Sequence, residues 1–116
     1  MDRKELAVFF LRAGLAFALI YVGISTFVNP NFWIGFVPSA VEIILSKEMF
    51  LRIHGAFDIL LGFWFVINKR IEYAALLTAL SMFAIIAFNY KALDVIFRDI
   101  TIFFAALALA VLSWNR

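Results

Sequence analysis

The chain has 116 residues, of which 66% are hydrophobic, 18% aromatic and 16% charged, with a formal net charge of +2. A soluble domain carries about a quarter charged residues and about half apolar ones, and a chain this short has too much surface to hide the excess in one core. With a mean hydropathy of +1.04, this excludes an ordinary soluble globule, a disordered chain and a nucleic-acid-binding module, whose phosphate-tracking surface needs concentrated positive charge.

There is no cysteine, and His54 is the single histidine. Disulfides, thiolate metal sites, iron–sulfur clusters and a haem held between two histidines of one chain are therefore outside its chemistry. No GxGxxG, Walker or HExxH pattern occurs. The expectation is no metal and no intrinsic cofactor; any cofactor is lipid-soluble or shared with a partner.

The first apolar run, residues 6–28, contains one charge, Arg12. Basic residues precede it, as in a signal peptide. However, it is longer than the usual h-region and no small-x-small site follows, so it is read as a retained helix. Residues 29–47, NPNFWIGFVPSAVEIILSK, form the only long connection. Pro30 and Pro38 prevent a continuous helix. Phe32, Trp33, Phe36 and Val37 suit headgroup depth, and Val41, Ile44 and Leu45 lie at helical spacing. This segment reads either as a short interfacial helix or lid, or as a plain hydrophobic loop over the bundle end.

Three further runs follow. Residues 49–67 contain Arg52, His54 and Asp58; residues 71–90 contain Glu72 at the edge; residues 95–114 open with Arg98 and Asp99. About 20 apolar residues cross a bilayer core, and a spanning backbone must satisfy its own polar groups, which requires helices here. The predicted fold is all-α: a single transmembrane domain over residues 1–116, built as a four-helix bundle with a short interfacial segment between helices one and two. Arg3, Lys4, Lys69, Arg70 and Arg116 gather at the termini and the second connection. The positive-inside rule then places both termini in the cytoplasm.

Charges within spans cost on the order of 2.5–3.5 kcal/mol each at mid-helix on insertion scales, so they are the informative residues. Arg52 follows Glu48 and Arg98 follows Asp94, each at i,i+4, and both arginines can snorkel. These two read more as structural than functional. Asp58 lies near mid-span, with His54 one turn away and Gly55 and Gly62 on a small-residue line that admits a close neighbouring helix. Asp58 thus faces the bundle interior. Arg12 has no acid three or four positions away. It starts about 9 Å from the membrane edge and Asp58 about 13 Å, at 1.5 Å per residue. A buried Arg12–Asp58 pair is the economical solution, serving either the fold or chemistry. Asp99 lacks a local base, and a cluster of Arg98, Asp99, Arg52 and His54 is expected. His54 alone is more often a satisfied interior histidine than a ligand. Thr78, Ser81, Thr101 and Ser113 can line a cavity but can equally bond their own backbone.

The stretches FLRAGLAFALIYVGISTF, HGAFDILLG and RDITIFFAALALAV resemble the DoxX family of small four-helix membrane proteins, whose wider group includes DoxD and MauE. The resemblance covers nearly the whole chain. Arg12, Gly14 and Gly23 match its first helix, and Gly55, Asp58 and Gly62 its second. Aspartate stands where glutamate is common, and Ser25 and Thr26 stand where many members carry a lysine. The resemblance implies redox or assembly work in a prokaryotic plasma membrane: a subunit of a thiosulfate:quinone oxidoreductase, an oxidative-stress complex, or maturation of a redox enzyme.

Three functions remain open. One is a subunit or accessory and assembly factor of a redox-linked, quinone-associated complex. The second is quinone-coupled catalysis, with Asp58 and His54 as catalytic candidates shuttling protons, while Arg12 and Arg98 orient substrate. The third, below these, is transport of a small solute. The expected partners are the lipid bilayer and either a second copy or other membrane and redox proteins, with a bound quinone as the cofactor to test.

Overall fold

The computed structural model describes residues 2–91 and 93–114, the side chains of 93–95 excepted. Helix α1 spans Arg3–Val28, α2 Pro30–Trp33, α3 Lys47–Ile67, α4 Ile71–Phe88 and α5 Leu93–Ser113, with 3-10 turns at Ile34–Phe36 and Ser39–Ile43. Four of these are long and apolar enough to cross a membrane. The longest dimension, 47 Å, matches a bilayer with its headgroup layers. The expected all-α four-helix bundle is therefore what forms, and the chain is an integral, multi-pass membrane protein.

Helix starts differ from the apolar runs because capping, not hydropathy, sets them. The Asp2 side chain accepts from the Glu5 N–H at 2.8 Å, so α1 begins three residues before its apolar run. Ser46 accepts from the Met49 N–H at 3.1 Å and starts α3. Each satisfies an otherwise orphaned first-turn donor. Asn68, left-handed at φ 63°, closes α3 as asparagine can. The Trp64 indole donates to the Lys69 carbonyl at 2.7 Å, pinning the turn into α4.

Helices α1 and α3 pack together closely, as do α4 and α5. A Cβ on Gly23 would lie 2.6 Å from the Gly55 carbonyl oxygen, one on Gly55 would collide with Thr26 Oγ1, and one on Gly62 with Ile20. Glycine there lets the α1 and α3 backbones touch. The core runs through Leu15, Leu19, Leu61, Phe65, Ala75 and Leu109, all buried. Phe10, Phe17, Leu60, Leu80, Phe104 and Val111 point outward, as a lipid-facing belt requires.

Residues 29–46 fold as short helical turns against the end of the bundle where α1 stops and α3 starts. The Trp33 indole donates to Ser25 Oγ at 2.9 Å. Asn89, at the end of α4, donates to the Phe36 carbonyl at 3.2 Å, and Val37 is buried. Of the two readings of this segment, the lid is the one formed.

Candidate functional site

Beneath this lid lies a cavity of about 760 Å³. That is a size typical of small-molecule sites. All four long helices contribute to its wall, and the lid adds Trp33, Phe36, Val37, Pro38, Val41 and Ile44. The lining is dominated by aliphatic and aromatic side chains. Its ionisable members are Tyr21 from α1, His54 and Asp58 from α3, and Arg98 and Asp99 from α5.

The polar groups form a connected network. His54 Nδ1 lies 3.1 Å from Asp58 Oδ2, one helical turn further along α3. His54 Nε2 lies 3.1 Å from Ser81 Oγ on α4. With Asp58 ionised, Nδ1 donates to it, and in the neutral ring Nε2 accepts from the Ser81 hydroxyl. Asp58 is 2% exposed. Its second oxygen, Oδ1, is buried with no hydrogen-bond partner among the described residues, an arrangement that is expensive in a low-dielectric interior. Asp99 lies within electrostatic reach of both His54 and Asp58. The Arg98 guanidinium sits 5.1 Å from the centre of the Trp33 ring, a cation–π contact joining α5 to the lid.

Two sequence expectations are corrected here. Arg12 does not pair with Asp58. Its Nε donates to the Phe65 carbonyl at 2.8 Å and its second guanidinium nitrogen to the Val66 carbonyl at 3.0 Å. Those carbonyls are seven and eight residues past Asp58, about 11 Å along α3 at 1.5 Å per residue. The depth arithmetic set both helices level, whereas α1 projects past the end of α3. Arg12 therefore meets the last turn of α3, where unpaired carbonyls and the negative end of the helix dipole attract a cation.

The second correction concerns Arg52, which is exposed and does not line the cavity with Arg98, Asp99 and His54. It does not pair with Glu48 either; the ion pair formed nearby is Lys47–Glu42, at 3.6 Å. Asp94, the expected partner of Arg98, lies outside the described side chains, as does Arg116. Among the other hydroxyls, Thr78 donates to the Ala74 carbonyl and Thr101 to the Phe97 carbonyl, each bonding its own helix. Ser113 is buried, with no partner for its Oγ among the described residues.

Asn89 is the contributor that the sequence did not single out, and Ser81 is the one of the four candidate hydroxyls that joins the network. Ser81 is a mid-helix hydroxyl in an apolar stretch, but Thr78 looks the same from the sequence and plays no part in the network. Among the described residues no group of three or more His, Asp or Glu side chains could hold a metal ion. No protein-family model, curated protein or solved structure matches this chain.

Proposed function

We propose that this protein holds a lipid-soluble quinone in the cavity beneath the lid and serves as a membrane subunit or accessory factor of a redox-linked complex. The observation that carries the reading is the placement of the Ser81–His54–Asp58 network on a predominantly apolar wall. The apolar lining suits a hydrocarbon tail arriving from the bilayer, and the polar network, with Arg98, suits a ring that bears oxygen atoms. A bound quinone supplies two-electron chemistry that requires proton exchange. His54 and Asp58 form a hydrogen-bonded, protonatable pair, and the unpartnered Asp58 Oδ1 is a further acceptor beside it. Arg98 can orient a carbonyl oxygen by charge. With no cysteine in the chain, thiol redox is not available to its own residues, which favours a subunit acting with a partner.

The DoxX resemblance supports the same reading. It implies a prokaryotic cell membrane, and the loop charges favour cytoplasmic termini. Arg3, Lys4, Lys69 and Arg70 sit at one end of the bundle, the arrangement the positive-inside rule asks of a cytoplasmic face.

The test is titration of the purified protein in detergent with a short-tailed benzoquinone, followed by tryptophan fluorescence, since Trp33 lines the cavity. A saturable quench that is lost in Trp33→Phe and weakened at least about tenfold in His54→Gln supports the reading. A quench that never saturates, or one indifferent to both substitutions, overturns it.

A further inference from the structure

The cavity network has the connectivity of a nucleophilic triad. Asp58 accepts from Nδ1 of His54, and Nε2 of the same ring faces a serine hydroxyl, with both separations 3.1 Å. This is the order in which an acid, a base and a nucleophile must be wired. The buried carboxylate fixes the tautomer and ring orientation, and the free Nε2 lone pair draws on the Ser–OH proton. Such constellations are recognised by geometry and roles, not by chain order or fold. Thr78, one turn before Ser81, shows the alternative: its hydroxyl donates to the Ala74 carbonyl at 2.9 Å, the usual fate of a helical hydroxyl. Ser81 instead is held by an imidazole and lines the cavity.

We propose that Ser81 is a nucleophile, activated by His54 and Asp58, that accepts an acyl group from a long-chain carboxylic ester bound in the cavity. The apolar wall, with Leu19, Val22, Leu51, Met82, Ile85 and Ile102 among its members, takes the hydrocarbon chain. In the first half-reaction Ser81 Oγ forms a bond to the ester carbonyl carbon and the bond from that carbon to the alkoxy oxygen breaks. The serine proton passes to His54 Nε2 and from there to the departing alcohol. In the second, water attacks the acyl-serine, its proton moves through His54, and the free acid leaves with Ser81 restored. No electrons change hands, and water is the only co-reactant. Among the described residues lining the cavity, Arg98 is the only arginine or lysine. It is the group available to meet the negative charge that develops on the carbonyl oxygen. This activity shares the cavity with the quinone reading but does not depend on it.

The experiment is labelling of the purified full chain with an alkyl fluorophosphonate, read by intact mass and peptide mapping. One adduct, on Ser81, is expected in the unsubstituted protein. The labelling rate should fall at least about a hundredfold in His54→Gln and at least about tenfold in Asp58→Asn. No adduct on the unsubstituted protein, or an adduct elsewhere, overturns the proposal without recourse to any variant.

A second measurement uses the absence of cysteine. In Ser81→Cys the only thiol faces His54, and its alkylation by an apolar maleimide should stay fast well below the pH at which a free thiol, with pKa near 8.5, ionises. His54→Gln in that background should restore the ordinary profile; an ordinary profile with His54 intact overturns the proposal. The titratable and charged groups sharing the cavity with that position are Tyr21 from α1, His54 and Asp58 from α3, and Arg98 and Asp99 from α5. The two readings separate by readout: a Ser81 adduct without saturable quinone quenching, or saturable quenching without an adduct, lets each fail alone.

Discussion

Arg12 donates to the Phe65 carbonyl at 2.8 Å, and through that bond one helix caps the end of another. The last carbonyls of a helix lack intrahelical partners. Asn68 takes the Trp64 carbonyl, and Arg12 takes those of Phe65 and Val66. The charge set in the first span is thus accounted for by backbone groups of α3, and Asp58 is left to His54.

Arg12→Gln should lower stability by about 1.5–3 kcal/mol, the range for hydrogen bonds to a charged group. Arg12→Lys should recover only part of this, because an ammonium lacks the planar fork that spans two adjacent carbonyls. Thermal denaturation in detergent reads both. A substitution to Gln without effect would remove the capping role.

The glycines divide by what a methyl group would meet. Gly23→Ala sets a carbon 2.6 Å from the Gly55 carbonyl oxygen, a backbone atom that can yield only if α1 and α3 separate. A loss of about 1–3 kcal/mol is expected from such overpacking. A Cβ on Gly14 meets nothing within 4 Å. Gly14→Ala, in mid-α1, should therefore gain up to about 1 kcal/mol from helix propensity. Opposite signs in the two melting curves are the result expected, and equal losses would count against the tight crossing.

Asp58→Asn keeps the shape of the side chain but replaces the carboxyl group that His54 Nδ1 faces at 3.1 Å with an amide. It should destabilise the bundle by about 1–3 kcal/mol, as broken buried polar networks do. Arg52→Gln, at an exposed position, should fall within about 0.5 kcal/mol of the unsubstituted protein. Parallel melts decide this. Equal effects would mean that the buried network contributes nothing beyond a surface charge.

Trp33 ties the lid down twice, through Ser25 Oγ at 2.9 Å and through the Arg98 guanidinium over its ring. Trp33→Ala should loosen the cavity mouth, raising the release rate of a bound hydrophobic ligand at least about threefold, on a contact worth about 1 kcal/mol. Stopped-flow displacement of a fluorescent lipid probe measures it. An unchanged rate would show that ligands enter between the helices instead.

The membrane class and the number of spans were legible in the sequence, because hydropathy over some 20 residues and the need to satisfy backbone groups are local, one-dimensional properties. So was the inward orientation of Asp58, from the Gly55 and Gly62 positions beside it. The partners of the buried charges were not. They depend on how far α1 slides along α3 and how α4 is rotated toward α3, and no residue pattern within a single span encodes either quantity. Arg12 could be placed level with Asp58 by counting residues from the membrane edge, yet the close contact of Gly23 with Gly55 brings Arg12 beside Phe65 and Val66. Ser81 and Thr78 were equivalent hydroxyls in the sequence. Only packing decided that one bonds its own helix while the other meets His54 across the cavity.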